Sequence, residues 1–251
     1  MNITQTFYDN MASSYDKLFL DWQATTHEQA ELLDKLFRER GFDRSAKILD
    51  CACGIGTQAV GIAALGYDVT GSDISRAELE EARQRAEKNN VDIRFEYADF
   101  CALGDSFSEQ FDIIIAMDNP LPHMLSGEAL EAAVSSITAQ LKAGGIFVAS
   151  IRDYDAMLMD KPPYSPPYIH KTEAGKRVSF QTWDWEGDNY RLVQYIIDDE
   201  ESLHISKFEC EYRATRREEF TQRLLANGCT DVEWLFPEQT GFYQPIFVAR
   251  K

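Results

Sequence analysis

Ile48-Leu49-Asp50-Cys51-Ala52-Cys53-Gly54-Ile55-Gly56-Thr57 decides the fold: an apolar run that reads as a buried strand ends on an acid and enters a glycine turn. Residues 58–65 follow as a helix. At Gly54 and Gly56 the missing Cβ lets the backbone turn tightly and come within contact distance of a ligand. Strand, glycine turn and helix in that order predict a nucleotide-type cofactor site.

The glycines alone do not choose the cofactor, because Gly54-Ile55-Gly56-Thr57-Gln58-Ala59 also fits the loose dinucleotide pattern G-x-G-x-x-G/A. Asp50 does discriminate. It stands four residues before Gly54 at the carboxyl end of the strand, where a carboxylate accepts hydrogen bonds from a cationic amino group and repels a pyrophosphate. S-adenosylmethionine carries an α-amino group and a sulfonium and has no phosphate to place on a helix N-terminus, so the acid favours it over NAD.

Two more acids follow at strand ends. Residues 67–73 read as a second strand that brings Asp73 to the place of a ribose, whose hydroxyls a carboxylate can accept. A third strand, residues 92–98, delivers Asp99 and Phe100, an acceptor for an exocyclic amine beside a flat apolar face for a purine. Each acid taken singly also reads as a helix N-cap. Three at successive strand ends favour the cofactor site.

Strand and helix units alternate to residue 151, with residues 111–117 and 145–151 as the fourth and fifth strands, which predicts a parallel sheet with helices on both faces. Ligands in such sheets lie outside the carboxyl ends of the strands, so Asp50, Asp73, Asp99 and Asp118 are expected along one rim. Residues 27–40 form an amphipathic helix closed by Gly41, with Ala30, Leu33 and Phe37 on one face. Residues 216–227 read as a helix, 232–236 as a strand, and 245–249 as a closing antiparallel strand. The fold class is α/β, a doubly wound and mostly parallel seven-stranded sheet.

Between residues 152 and 212 the pattern changes. Residues 161–168, with four prolines, read as an extended surface loop. Three period-two runs at 177–185, 190–198 and 203–212, the first two joined by Glu186-Gly187-Asp188-Asn189, predict an antiparallel meander over the active-site rim. Of Trp183 and Trp185, at least one is expected to pack against the main sheet. The chain is thus read as one domain, residues 1–251, with an insertion at 152–212.

At 251 residues and 44% hydrophobic content the chain can bury one large core. Its net charge of −17 opposes approach to a phosphate backbone and so argues against a nucleic acid partner; an acidic surface also serves solubility. Five cysteines with no C-x-x-C spacing predict reduced thiols, neither a disulfide framework nor a zinc site, and no metal is expected. No basic leader or membrane-length apolar run is present, so the expected location is the cytoplasm. Whether the protein is a monomer or a homo-oligomer is open.

The order Asp50-x-Ala52-x-Gly54-x-Gly56, then Asp73, then Asp99-Phe100, then Leu141-Lys142-Ala143-Gly144-Gly145 resembles the class I S-adenosylmethionine-dependent methyltransferases over residues 46–151. Within that family, the glycine turn, residues 117–124 and Ile151-Arg152-Asp153-Tyr154-Asp155 are most similar to the glycine and glycine/sarcosine N-methyltransferases. The resemblance implies cofactor contacts from Tyr15, Asp50, Ala52, Cys53, Gly54, Gly56, Thr57, Asp73, Ile74, Asp99, Phe100, Met117 and Asp118. It implies that Asn119 and Arg152 hold a substrate amino acid, Arg152 being suited to a bidentate carboxylate clamp. His123 matches a family histidine able to accept a proton near neutral pH, although a hydrogen-bonding or packing role weighs more. Tyr15 and Trp22 lie in the segment that folds over the cofactor in these enzymes.

A sulfonium methyl is already activated, so placement in line with the acceptor and exclusion of water matter more than a dedicated base. The expected activity is therefore methyl transfer to the nitrogen of a small carboxylate-bearing amine such as glycine or sarcosine. The departures are Asp118 and two prolines in Asp118-Asn119-Pro120-Leu121-Pro122-His123, and Thr25 or Thr26 where the mammalian-type enzymes carry a cofactor-binding arginine. Asp118-Asn119-Pro120-Leu121 is also similar, weakly, to the motif of methyltransferases acting on amide nitrogens. The alternatives are an O- or C-methyltransferase of a small aromatic, prompted by the aromatic insertion, and a sensor that binds the sulfonium without transferring its methyl.

Overall fold

The computed structural model describes residues 3–171, 175–198 and 203–251. A seven-stranded sheet contains β1 (Lys47–Asp50), β2 (Asp68–Asp73), β3 (Arg94–Tyr97), β4 (Phe111–Ala116), β5 (Leu141–Ser150), β10 (Asp231–Leu235) and β11 (Ile246–Arg250), in the order β10-β11-β5-β4-β1-β2-β3. Every pairing from β5 to β3 is parallel, and β11 is antiparallel to both its neighbours. The strand order reverses between β1 and β4, which is where a ligand crevice opens in sheets of this kind. β5 starts four residues earlier than the sequence suggests. Its first residue, Leu141, pairs with Phe111, and the chain bulges through Gly144, at φ 79, before Ile146 rejoins opposite Ile113.

Helices α1 (Ile3–Met11), α2 (Trp22–Glu39), α3 (Thr57–Ala64), α4 (Arg76–Lys88), α5 (Gly127–Ala139), α6 (Tyr154–Asp160), α7 (Arg217–Ala226) and α8 (Pro237–Thr240) complete the main body. Alternation along the central strands sends side chains to two cores. Leu49, Ile114, Phe147 and Phe247 pack on one face with Leu130 of α5 and Phe220 of α7, while Ile48, Ile113, Ile115 and Ile146 pack on the other with Leu33 and Phe37 of α2. α2 begins at Trp22, five residues before the expected start, because the Asp21 carboxylate accepts the Ala24 amide at 3.0 Å and caps the helix there. It lies tightly on α3: a Cβ on Gly61 would stand 2.5 Å from the Thr26 carbonyl oxygen.

The insertion folds as a separate antiparallel sheet, β6 (Tyr168–Lys171), β7 (Lys176–Glu186), β8 (Asn189–Asp198) and β9 (His204–Arg213). It has four strands rather than three, because Tyr168 to Lys171, read as the end of a loop and its continuation, pair with β7. Residues 172–174 and 199–202 of the insertion lie outside the described residues. β7 and β8 close through a two-residue turn, Gly187-Asp188, with Gly187 at φ 61, the conformation that a twisted hairpin requires. One face carries Gln181, Trp183 and Trp185 opposite Gln194, Leu192 and Tyr190, with Tyr212 beside Tyr190. Trp183 and Trp185 both pack at the edge of the core cluster that includes Tyr190, Leu192 and Tyr212 of this sheet, each ring against Tyr190. α1, which the sequence reading did not place, packs on β9 and α4. Among the described residues no helix is long and apolar enough to cross a membrane, and no cluster of His, Cys, Asp and Glu could hold a metal.

Candidate active site

β1 ends in a turn stitched to both neighbouring strands. The Cys51 amide donates to the Ile115 carbonyl and the Cys53 amide to the Ser72 carbonyl, each at 3.0 Å, which opens the backbone between β1 and its flanks. Gly54 and Gly56 take φ values of 52 and 87, in the left-handed region, and Gly56 starts α3. The Gly54 amide donates to the Asp73 carboxylate at 2.9 Å, and the Ser75 amide donates to its other oxygen at 2.8 Å. Burial pushes the Asp73 carboxyl up to about 6 despite those amides.

Above this turn lies a cavity of 380 Å³ whose wall includes Asp73, Glu78, Asp99 and Asp118 and, among the described residues, no lysine or arginine. Such a wall repels phosphates and favours a cationic ligand. Phe100, Ile74 and Met117 give it apolar surfaces, and Asp99 keeps one oxygen on the Cys101 amide at 2.8 Å. A nucleoside with a sulfonium and an ammonium suits this donor set: apolar faces for the base, carboxyl acceptors for hydroxyls and amines, and negative charge for the cations.

Twelve of the expected site residues line this cavity: Tyr15, Ala52, Cys53, Gly54, Thr57, Asp73, Ile74, Asp99, Phe100, Met117, Asp118 and His123. Asp50 and Gly56 do not. Asp50 is fully buried beneath the wall rather than on the rim, and among the described residues neither of its oxygens meets a hydrogen-bond partner. Burial drives its pKa well above the carboxylate range, the nearby Ala52 and Ala59 amides offsetting part of this, and the charges of Asp73 and Asp118 push it further up. Gly56 faces the α3–α4 contact, where a Cβ would meet Val60 at 3.2 Å and Ala82 at 3.3 Å. Trp22 serves that scaffold too: its indole donates to the Thr57 hydroxyl at 3.0 Å, and Arg85 stacks on its ring at 4.6 Å.

A second cavity of 710 Å³ adjoins the first and shares Tyr8, Tyr15 and Asp118 with it. Asn119 and Arg152 lie on its wall, together with Gln181, Trp183, Tyr212 and Tyr243 from the insertion and the C-terminal segment. Thr25 reaches this cavity, whereas Thr26 is buried against α3. Asp118 and Asn119 both sit at positive φ, 66 and 73, costly for residues with a Cβ and held here by Ser150, which accepts both their amides. The Asn119 amide group faces inward: its oxygen accepts the Arg152 amide at 3.0 Å, and its nitrogen donates to the Tyr154 hydroxyl at 3.1 Å. Asn119 thereby fixes the β4 and β5 loops to each other.

Arg152 donates to the Tyr190 hydroxyl at 3.1 Å and to the Gln181 side-chain Oε1 at 2.7 Å, and stands 5.3 Å from the Trp183 ring centre. Three of its five N–H donors remain, and among the described residues no carboxylate pairs with it. Asp118, at the border of the two cavities, accepts from Gln58 at 2.8 Å and Tyr243 at 2.7 Å; burial raises its pKa against those two bonds.

His123 is buried, with Nδ1 3.1 Å from the Glu211 carbonyl and Nε2 2.9 Å from the Tyr8 hydroxyl. A carbonyl only accepts, so Nδ1 carries the hydrogen and Nε2 accepts from Tyr8. Burial, aided by the charge of Arg152, depresses its pKa to about 3 in spite of the Glu211 bond. His123 therefore stays neutral at physiological pH and orients Tyr8. Tyr8, Glu78, Tyr190 and Tyr212 are site residues the sequence reading missed. Tyr8 carries no local signal, and Ser75-Arg76-Ala77-Glu78 has the spacing of an ordinary helix capping box.

A model of the methyltransferase domain family matches residues 48–145. The chain is 24% identical over 251 residues to a glycine/sarcosine N-methyltransferase of Aphanothece halophytica, covering 98% of this chain and 89% of that protein. Among solved structures it is similar to an S-adenosylmethionine-bound amino pentose methyltransferase from Micromonospora echinaspora, with a TM-score of 0.75, 20% identity and coverage of 90% of this chain and 91% of the other. It is also similar to a sugar N-methyltransferase from Streptoalloteichus sp., with a TM-score of 0.74, 20% identity and coverage of 97% and 92%. At that identity the solved structures speak for the fold. With the family match falling on the glycine turn and on the strands that frame the acid-lined cavity, residues 48–145 are a methyltransferase domain, and the chain is similar to enzymes that use S-adenosylmethionine as the methyl donor.

Proposed function

We propose that this methyltransferase acts on the nitrogen of a small amine that carries a carboxylate, held in the second cavity by Arg152. The observation that carries this reading is the guanidinium itself. It is a half-buried cation without a carboxylate partner among the described residues, facing a cavity next to the cofactor pocket, and a charge drawn from water in this way calls for an anion from the ligand. The glycine/sarcosine N-methyltransferase name of the Aphanothece relative and the N-methyltransferase name of the Streptoalloteichus structure support nitrogen as the acceptor atom. A cavity of 710 Å³ has room for an acceptor larger than glycine.

The bound cofactor supplies an electrophilic methyl group, so this chain's residues need only bind, orient and dry the acceptor. Asp73, Asp99 and Asp118 would hold the cofactor's hydroxyls and amines, with Phe100 against the base. Arg152 fixes the acceptor carboxylate, and Asn119 sets the position of the Arg152 backbone. His123, with a pKa of about 3, is too weak a base to take a proton from an ammonium; it holds the Tyr8 hydroxyl at the border of the two cavities. The acceptor nitrogen accordingly loses its proton to solvent before transfer.

Labelled S-adenosylmethionine with a panel of amino acids, carboxylate-free amines and phenols tests the reading. Label is expected on amines that carry a carboxylate, and Arg152→Ala should raise KM for the best of them at least about tenfold while the affinity for S-adenosylhomocysteine stays within about twofold. Label moving only to phenols or to amines without a carboxylate would refute the proposal, as would an unchanged KM.

A further inference from the structure

Glu78 lies in the first turn of α4 and is only 1% exposed, yet it lines the cofactor cavity. In a complete capping box its carboxylate would turn back to the amide of the N-cap residue. Half of that box exists, since the Ser75 hydroxyl accepts the Glu78 amide at 3.1 Å. The other half is taken: the Ser75 amide already donates to Asp73 at 2.8 Å. The Glu78 side chain instead runs toward the glycine turn, its Oε2 3.3 Å from where a Cβ on Gly54 would stand, and its Oε1 has no hydrogen-bond partner among the described residues.

Two carboxyl groups thus converge on Gly54, Asp73 through the Gly54 amide and Glu78 through the open side of the turn. Asp73 has one oxygen on the Gly54 amide and the other on the Ser75 amide, so part of its accepting capacity is used before any ligand arrives. A ribose brings two hydroxyl donors to this place, and the unpartnered Glu78 oxygen supplies the acceptor that Asp73 lacks. We propose that Glu78 is a cofactor-binding residue that hydrogen-bonds the sugar of S-adenosylmethionine beside Asp73. Burial, with the charges of Asp73 and Asp9 next to it, raises the Glu78 pKa well above the usual range. A buried polar atom left without a partner lowers the stability of the ligand-free protein and strengthens binding of the ligand that satisfies it.

The proposal rests on the cofactor assignment and is tested by calorimetry with two probes, S-adenosylhomocysteine and 5′-methylthioadenosine, which share the nucleoside and differ in the amino acid. Glu78→Leu should weaken both about tenfold and by the same factor, because the lost contact is to the sugar. Without ligand, the Glu78→Leu protein should melt no lower than the wild type. Equal affinity of wild type and Glu78→Leu would overturn the proposal, as would a loss seen with S-adenosylhomocysteine alone or a lower melting temperature for the free variant. Should Glu78→Leu fail to fold, Glu78→Gln preserves the volume, and a measurable, equal weakening of both probes is required of it; unchanged binding of either probe overturns the assignment. Failure of wild type to bind S-adenosylhomocysteine at all would instead strike the cofactor assignment.

Discussion

The buried imidazole of His123 makes a quantitative claim about how stability depends on pH. In the folded chain its pKa falls to about 3, against 6.5 for a free imidazole, because burial disfavours the charged ring and Arg152 stands nearby. The group's folded pKa lies below its unfolded value, so the unfolded chain binds the proton first and the native state loses stability as pH falls from 6.5 toward 3. With those two values, acidification from pH 7 to pH 5 removes about 2 kcal/mol through His123 alone. The acids of the site act in the opposite sense. Asp73, raised to about 6, favours the native state as pH falls from about 6 toward 4, so a single titration of the wild type mixes the two effects. The comparison with His123→Gln separates them, because Asp73 and the other acids are common to both proteins and cancel in the difference. Urea unfolding of both proteins at pH 7 and pH 5 should show the wild type losing about 2 kcal/mol relative to the variant. A difference that does not change between the two pH values would mean that the ring is protonated, or reached by water, in the native state, and the role of His123 as a fixed neutral acceptor for Tyr8 would fall.

Asp73→Asn removes the charge and one of the two oxygens that accept the Gly54 and Ser75 amides, and is expected to weaken S-adenosylhomocysteine at least about tenfold, as read by calorimetry with the fold followed by circular dichroism. Gly71→Ala places a Cβ 2.8 Å from the Phe95 ring and 3.1 Å from the Cys53 sulfur, and should cost about 1–3 kcal/mol in urea unfolding, with loss of cofactor affinity through displacement of the Cys53 turn.

The main sheet was legible because its signals are local. Ile48 to Thr57 puts a strand, a turn and a helix start in ten residues, and the acids at 73, 99 and 118 mark successive strand ends without reference to anything distant. Strand ends shifted where pairing overrides pattern: Leu141 joins β5 only because Phe111 lies opposite it, and Tyr168 becomes a strand only because Ser179 is its partner. Helix α1 and its Tyr8 were not readable. Their role depends on contacts with His123 and Tyr212, more than a hundred residues downstream, and a nine-residue helix carries little periodic signal of its own. Asp50 shows the converse limit: the sequence places it at the end of β1, where it stands, but its depth below the wall comes from packing. Glu78 looked like a capping residue because sequence spacing does not disclose that Asp73 occupies the amide it would have reached.

The first cavity draws its wall mainly from the turns after β1 to β4, whereas the second is walled by the N-terminal helices, the loops after β4 and β5, the insertion and residues 236–245, and the two share Tyr8, Tyr15 and Asp118. Among the described residues the insertion at 152–212 reaches the first cavity only at Glu211, while it supplies twelve of the residues that line the second. On the acceptor assignment proposed above, substitutions at those positions retune what receives the methyl group with little effect on the apparatus that presents it, which gives laboratory evolution toward new acceptors a compact target.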